Sequence, residues 1–277
     1  MKGLDKIKQL PSYLLLLFFS LATLVPFVWI ILTSLKTTKE LIQKGPFTMP
    51  EVLHWENYAK AWEAGRFALY YKNSIIIALF TVVGVLILSL LGAYAFACLE
   101  FKGRSFWFTL VLLGLLIPLE PIIIPLFHNL KAMKLINTHS AIILPQIALN
   151  VSFGIFLLRG FIRVIPNALL ESARIDGSNE LKNLIYIVTP LVKPALISLM
   201  IFTVMSSWNS FMLPTIMIQN DELRTVPLGL NAFRGKFTRD IPLTSAGANI
   251  IAAPIIIIYL VLQRNMIQGM MMGALKE

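Results

Sequence analysis

The residues of this chain that could do chemistry are few, and their spacing favours no catalytic mechanism. His54, His128 and His139 have no spacing suited to a shared metal ion. The sequence contains no glycine-rich loop ending in Gly-Lys-Ser or Gly-Lys-Thr, so it predicts no nucleotide site of that kind. No serine lies in a nucleophile-elbow motif, and the single cysteine, Cys98, allows no intrachain disulfide. We therefore expect no catalytic residue, no metal site and no cofactor bound by this chain.

One moderately polar segment, residues 163–194, interrupts a sequence that is otherwise almost entirely hydrophobic. Asn167 is expected to cap a helix that carries Glu171 in its first turn. The Asp-Gly-Ser sequence at 176–178 should break that helix, because glycine permits a left-handed backbone. The first or third residue of that sequence could cap a second helix running towards Thr189. The segment is therefore predicted to be a helix, an elbow and a second helix at the membrane surface.

The side chains of this segment suit a docking surface. Ala173 and Gly177 are small enough for the backbone of a partner to come close. Glu171, Arg174 and Asp176 offer charges that could fix the register of docking. A connecting loop that touches only lipid headgroups would explain the same spacing equally well.

Composition places the segment in a membrane protein. The chain of 277 residues is 57% hydrophobic and only 14% charged, whereas soluble proteins carry about 25% charged residues. A helix that crosses about 30 Å of hydrocarbon needs about 20 apolar residues. Six longer windows, charge-free apart from Glu120 in the third, predict an all-α integral membrane protein with six transmembrane helices. The windows lie between Lys8 and Lys36, Lys72 and Glu100, Arg104 and Lys131, Lys134 and Arg159, Lys193 and Asp221, and Asp240 and Arg264.

The net charge of +10 would suggest nucleic acid as a partner for a soluble protein. Here we attribute it to membrane topology and anionic headgroups, and we expect no nucleic acid. Lys and Arg divide equally between the two sides of the predicted topology, so the positive-inside rule does not decide its orientation.

The third window contains Pro118, Pro121 and Pro125 around Glu120, which predicts a broken helix. A carboxylate at that depth should not face lipid. We interpret Glu120 as lining a polar pathway, the alternative being a protonated or paired carboxyl buried between helices. In the fifth window, Trp208 and Asn209 belong to a polar island, and we assign both, with Glu120, to the translocation pathway. Asn209 could join helices or contact a transported solute.

The last outer loop, at 219–245, contains Asn231, Phe233, Arg234 and Gly235, which could form a projecting tip. The alternative is a merely solvated loop. Aromatic residues of the earlier outer segment, at 36–72, are typical of a membrane interface, although they could also meet an external partner.

Residues 171–190 resemble the cytoplasmic coupling loop of binding-protein-dependent ABC importer permeases. Ser172 stands where the family usually has a second alanine, and Thr189 where it usually has leucine. Two further patterns are similar to carbohydrate-type members, and the resemblance extends to the C-terminal tail. The residues that carry these patterns are Glu171, Ala173, Gly177, Ile187 and Pro190, then Asn57, Tyr58, Trp62, Asn73 and Ser74, and finally Asn209, Phe211 and Pro214.

The resemblance implies a type I ABC importer permease fold, similar to the smaller six-span permease of maltose importers. It implies that two ATPase subunits, which bind ATP and Mg, dock on the coupling loop. The coupling residues would be Glu171, Ala173, Arg174, Asp176, Gly177 and Pro190. It also implies a second, different permease and an extracytoplasmic sugar-binding protein, which the tip at Asn231, Phe233, Arg234 and Gly235 would meet. Glu120 falls at a position that the family often fills with a polar residue.

The resemblance also orients the chain in a bacterial or archaeal plasma (inner) membrane, with both termini cytoplasmic. The expected order is a cytoplasmic N-terminus at 1–10, a first transmembrane helix at 11–35, an extracytoplasmic segment at 36–72, a five-helix core at 73–264 with its coupling loop at 163–194 and outer loop at 219–245, and a cytoplasmic tail at 265–277. The expected function is ATP-driven import of a di- or oligosaccharide by a non-catalytic subunit. One alternative is the same fold carrying another solute, such as glycerol phosphate or a peptide. Another is a proton-coupled secondary transporter that uses Glu120.

Overall fold

The computed structural model describes residues 2–233 and 240–274, with side chains described for residues 11–233 and 240–263. These residues form helices and turns, and no strand is found among them. The α-helices are α1 (Lys2–Ser34), α2 (Thr38–Lys44), α3 (Glu56–Ala64), α4 (Phe67–Cys98), α5 (Arg104–Leu113), α6 (Leu119–Ala132), α7 (Ser140–Ile162), α8 (Asn167–Ile175), α9 (Glu180–Lys182), α10 (Thr189–Leu191), α11 (Lys193–Trp208), α12 (Met212–Met217) and α13 (Ile241–Ala274). Short 3-10 helices lie at Gly114–Leu116, Asp221–Leu223 and Val226–Phe233, and a π-helix at Asn183–Val188.

Within the described residues, four helices are long and apolar enough to cross a membrane: Pro11–Ser34, Phe67–Cys98, Ser140–Ile162 and Ile241–Gln263. Two further pairs of helices pass the same test together but are sharply bent. The number of spans rises to six if each bent pair crosses once. The prediction of an all-α membrane protein is therefore confirmed.

The third hydrophobic window is the first of the bent pairs. Its two halves, Arg104–Leu116 and Leu119–Ala132, meet at an angle of 100°. Between them, Ile117 and Pro118 adopt extended backbone conformations, because a residue before proline is sterically driven out of the helical region. The broken helix predicted from the prolines is confirmed.

The described residues fall into two compact units, of which the first takes in residues 2–68, 229–233 and 240–253. In this unit, Asn57 and Tyr58 tie the end of α1 to α3. The Asn57 amide donates to the carbonyls of Ser34 and Lys36, both at 2.8 Å. The Tyr58 hydroxyl lies 2.8 Å from the Ser34 hydroxyl and accepts a 3.0 Å hydrogen bond from Asn249 on α13. Asn57 and Tyr58 therefore join α3 to the end of α1 and to α13 by hydrogen bonds within this unit.

Lys36, just beyond α1, is fully buried in the same unit. Its Nζ donates to the Pro46 carbonyl at 3.3 Å and to the Thr48 hydroxyl at 3.2 Å, and it lies 5.8 Å from the ring centroid of Trp29. Burying an ammonium group is costly unless its hydrogen bonds are made. Lys36 therefore holds the turn after α2 against the end of α1.

The second unit takes in residues 69–228 and 254–277. Its largest apolar cluster joins α4, α7 and α11 to the segment between α7 and α11, so this segment is packed on the core at its inner face. The buried members of the cluster are Val85, Ala93, Tyr94, Leu158, Ile162, Leu170, Leu184, Val188, Val192, Ala195 and Leu199.

Glycines let α4 and α7 approach closely, as small residues do between membrane helices. A Cβ on Gly84 would lie 2.4 Å from a methyl carbon of Ile147, and Gly92 is equally crowded by α7. From the other side, a Cβ on Gly154 would lie 2.0 Å from the hydroxyl of Ser89. These separations are far below van der Waals contact, so any larger residue would require the facing side chains to shift.

Candidate functional site

The polar segment between α7 and α11 forms the predicted elbow, and Gly177 makes its turn possible. Gly177 has a φ of +84°, in the left-handed region. The N–H of Gly177 donates to the Arg174 carbonyl at 3.0 Å, and the N–H of Ser178 donates to the Ala173 carbonyl at 2.9 Å. These two bonds define a Schellman motif, in which the residue after the helix end takes the left-handed conformation. The elbow is therefore a fixed turn.

The start of α8 differs from the sequence prediction. Pro166 takes the extended backbone of the capping position, and no side chain caps the helix there. Asn167 is the first helical residue, so its predicted role as a cap is wrong. Glu171 consequently lies beyond the first turn of the helix.

The second helix is also capped by a different residue. Neither Asp176 nor Ser178 caps it, because the Schellman motif that ends α8 uses this part of the chain. The side chain of Asn179 instead accepts a 2.9 Å hydrogen bond from the N–H of Lys182.

Beyond this cap the chain does not continue as the regular helix that was predicted. Asn183–Val188 is a π-helix, a wider turn that occurs often at functional sites. Both the N–H and the hydroxyl of Thr189 donate to the Leu184 carbonyl, the hydroxyl at 2.7 Å. Pro190 follows and carries no N–H of its own. Threonine, where the family usually has leucine, thus adds a hydrogen bond to the wide turn.

Asn183, the first residue of this π-helix, is completely buried. Neither its side-chain oxygen nor its side-chain nitrogen has a hydrogen-bond partner in the part of the chain that the structure describes. A buried amide left in this state destabilises the conformation that contains it.

Asn183→Leu is therefore expected to raise the free energy of unfolding of the purified protein by about 1–3 kcal/mol, because the unpaired polar group is removed at similar volume. The measurement is thermal unfolding in detergent. Asn167→Leu, at an exposed position on α8, serves as the control and should change stability little. A loss of stability in Asn183→Leu would show that the amide has a partner after all.

Glu180, at the start of α9, connects the two arms of the elbow to α4. Its carboxylate accepts hydrogen bonds from Nε of Arg174 at 2.8 Å and from Nη2 at 3.3 Å. The hydroxyl of Tyr94 on α4 donates to the same carboxylate at 2.5 Å. The bonds from Arg174 to Glu180 raise the pKa of the guanidinium above its ordinary value. The sequence analysis did not identify Glu180 or Tyr94. The one signal available in the sequence was the pair of opposite charges, Arg174 and Glu180, on either side of Gly177.

The structure brings the predicted docking residues together on one elbow. Glu171, Arg174, Asp176, Gly177 and Pro190 are exposed, and Ala173 is half-buried. The same surface carries large apolar side chains in the open, with Ile175 87% exposed and Leu181 60% exposed. A charged and apolar surface of this kind is typical of a protein contact.

The structure places Glu120 in the first turn of α6, directly after the break in the third window. Its side chain is exposed.

Trp208 and Asn209 lie at the end of α11. Trp208 is buried and packs edge-on against Tyr71 of α4, with ring centroids 5.3 Å apart. Asn209 is exposed, and its N–H closes the helix on the Met205 carbonyl. The tryptophan is thus fixed by packing, while the asparagine amide is left accessible.

A buried polar cluster next to Trp208 was not predicted. Gln146 of α7 is only 3% exposed, and its side-chain oxygen accepts from the hydroxyls of Thr81 and Ser207 at 3.1 and 2.7 Å. The cluster joins α4, α7 and α11 inside the apolar region. Its members are far apart in sequence, so spacing could not reveal it.

Of the four residues predicted at the tip of the last outer loop, Arg234 and Gly235 lie outside the described residues. Asn231 is half-buried. Phe233 is 5% exposed and packs on α13, where a Cβ on Gly247 would lie 2.7 Å from its ring. The Phe233 side chain therefore packs inward against α13 and holds the loop on that helix.

The described residues thus form a helical membrane protein with two bent helix pairs and an exposed elbow, turned at Gly177, between α7 and α11. The chain matches the family described as "Binding-protein-dependent transport system inner membrane component" over residues 98–271. It belongs to that family and is a multi-pass transport permease, which confirms the resemblance indicated by the 171–190 motif.

Several relatives are similar over almost the whole chain. The arabinooligosaccharides transport system permease protein AraQ of Bacillus subtilis is 34% identical over 270 residues, covering 95% of each chain. The diacetylchitobiose uptake system permease protein NgcG of Streptomyces coelicolor is 30% identical over 267 residues, covering 96% of this chain and 88% of the relative. A chain from the crystal structure of a bacterial ABC transporter involved in import of the acidic polysaccharide alginate matches with a TM-score of 0.79. It is 24% identical and covers 94% of this chain and 96% of its own length, which shows the type I importer permease fold.

Proposed function

We propose that this chain is one of two different permease subunits of an ATP-driven importer and forms half of the pathway for a di- or oligosaccharide. Two ATPase subunits, which bind ATP and Mg, and an extracytoplasmic sugar-binding protein complete the complex. The named sugar systems of AraQ and NgcG support this substrate class. The chain itself supplies no catalytic residue.

The observation that carries the proposal is the exposed elbow between α7 and α11. Its docking surface projects from a turn held by the Schellman motif, and Leu170, Leu184 and Val188 anchor its inner face in the core. The second half of the elbow, Glu180–Leu191, joins α11 at an angle of 80°. Closure of the ATPases would push the elbow and tilt the attached spans, so that the pathway changes from inward-open to outward-open.

This function orients the chain in the plasma (inner) membrane with the elbow and both termini in the cytoplasm. The segment 36–72 and the loop 219–245 then lie outside. Of the loop residues whose side chains are described, Asn231 is offered as a direct contact for the binding protein, and Phe233 as its support. Arg234 and Gly235 complete the proposed tip.

Reconstitution of the complete complex in proteoliposomes tests the proposal. Uptake of radiolabelled arabinooligosaccharides or diacetylchitobiose should require ATP and the loaded binding protein. Uptake of glycerol phosphate instead of sugar would show that the complex is an importer of the same fold for another solute. Uptake that survives ATP depletion but collapses with an uncoupler would identify a secondary transporter and overturn the proposal.

The pathway role of Glu120 is tested by cysteine labelling. Glu120→Cys, in a Cys98→Ala background, is expected to react with a small water-soluble thiol reagent in at least one nucleotide state, because a carboxylate at this depth should face water and not lipid. Ile123→Cys, three residues along α6 and only 4% exposed, is the control and should stay unmodified. Failure of Glu120→Cys to react in every state would remove Glu120 from the pathway.

A further inference from the structure

We infer that Glu180 is a positioning residue for transport, which ties the coupling elbow to α4 through Tyr94. A push on the elbow would then move α4 as well as α11. The inference rests on the proposed function, and it adds a second route by which ATPase closure reaches the transmembrane helices.

Both carboxylate oxygens of Glu180 take part. The Arg174 guanidinium holds them with two hydrogen bonds from the α8 side of the elbow, while Tyr94 holds one of them from α4. Tyr94 is 4% exposed and belongs to the main apolar cluster. The hydrogen bonds of Arg174, Glu180 and Tyr94 therefore connect the exposed surface of α8 to the packed core.

Hydrogen bonds to an ionised carboxylate are shorter and stronger than bonds between neutral groups. The Tyr94 hydroxyl is shielded from water, which further strengthens its bond. The Glu180 carboxylate is partly exposed, so water can replace a lost donor. While all three hydrogen bonds are made, they fix the relative positions of Arg174, Glu180 and Tyr94, and we expect these side chains to move together.

Two cavities border α8 on its inner side. An apolar cavity of about 430 Å³ lies between α8, the end of α7 and α10. A polar cavity of about 380 Å³ lies between α8 and the adjoining ends of α4 and α7. Between these spaces, Leu170 is the buried residue of α8. The apolar contact of Leu170 has no preferred direction, whereas the hydrogen bonds of Glu180 depend on both distance and orientation.

The test measures sugar uptake and ATP hydrolysis together in proteoliposomes that contain the whole complex. Tyr94→Phe removes one hydroxyl and leaves the Arg174–Glu180 pair and the packing in place. It should assemble normally yet hydrolyse roughly tenfold more ATP per sugar imported, the order expected for loss of a hydrogen bond to a charged group. Tyr259→Phe, at an exposed position on α13, is the matched control and should keep the wild-type ratio.

Two further variants separate coupling from folding. Glu180→Asp keeps the charge but shortens its reach by one methylene, so it should raise the same ratio even if Tyr94→Phe is poorly produced. The double variant Tyr94→Phe/Glu180→Asp should hydrolyse no more ATP per sugar than Glu180→Asp alone. The hydrogen bond between Tyr94 and residue 180 is already lost in Glu180→Asp, so removing the hydroxyl as well should have no further effect.

A wild-type ratio of ATP to sugar in both single variants would overturn the inference while leaving the importer intact. Absence of ATP-dependent uptake by the unmodified complex would instead overturn the proposed function. Lower yield with an unchanged ratio would assign the link to folding alone and also contradict the inference.

Discussion

Gly177→Val should abolish most sugar uptake while leaving the complex assembled. Gly177 is in the left-handed region, where a side chain costs about 1–2 kcal/mol and a β-branched one more. A Cβ at this position would meet nothing within 4 Å, so the backbone conformation alone is responsible. The Schellman turn would reopen and move the docking surface relative to its anchors. Uptake into proteoliposomes should fall by about tenfold or more.

Two smaller substitutions distinguish backbone conformation from a clash with the ATPases. Asparagine is larger than alanine but tolerates the left-handed conformation better. Gly177→Asn should therefore transport better than Gly177→Ala. The reverse order would mean that a partner needs the space above Gly177, and the backbone explanation would be wrong.

Gly154→Leu is expected to prevent folding of the core. A Cβ at this position would lie 2.0 Å from the Ser89 hydroxyl and 3.0 Å from a methyl carbon of Leu199. Overpacking a core by a few atoms costs about 1–3 kcal/mol, and a leucine at a glycine crossing should exceed this range. The measurement is the yield of monodisperse protein after size-exclusion chromatography in detergent.

The control for this prediction lies on the same helix. Gly160 on α7 has open space where its Cβ would stand, so Gly160→Leu should be produced normally. Ser89→Gly should also rescue Gly154→Ala, because it removes both nearest atoms. Equal yields of Gly154→Leu and Gly160→Leu would show that α4 and α7 do not approach as closely as described.

Hydropathy and proline placement predict the membrane helices and the break before α6 because both act locally. A charge-free window must find an apolar environment wherever it lies in the fold, and a proline disfavours the helical conformation of the residue before it. The break forms at Pro118, whereas Pro125 lies inside α6. The elbow is equally local, since Gly177 is needed wherever a helix ends in a left-handed turn.

Features that depend on distant residues could not be predicted in this way. Glu180 and Tyr94 are 86 positions apart, and nothing in either local sequence names the other. In the sequence, Gln146 has no polar partner nearby. Its partners are the hydroxyls of Thr81 on α4 and Ser207 on α11, which only the fold brings close to it. The Asn179 cap was missed for another reason: residues 176–178 can cap or end a helix, and the turn that ends α8 uses them first.

Cys98 stands in the wall of the polar cavity beneath α8 and is the only thiol of the chain. We expect a maleimide to alkylate Cys98 faster when displacement of the elbow widens that cavity. The natural sequence thus carries its own reporter of elbow displacement, readable kinetically without an introduced label when the companion subunits lack reactive thiols.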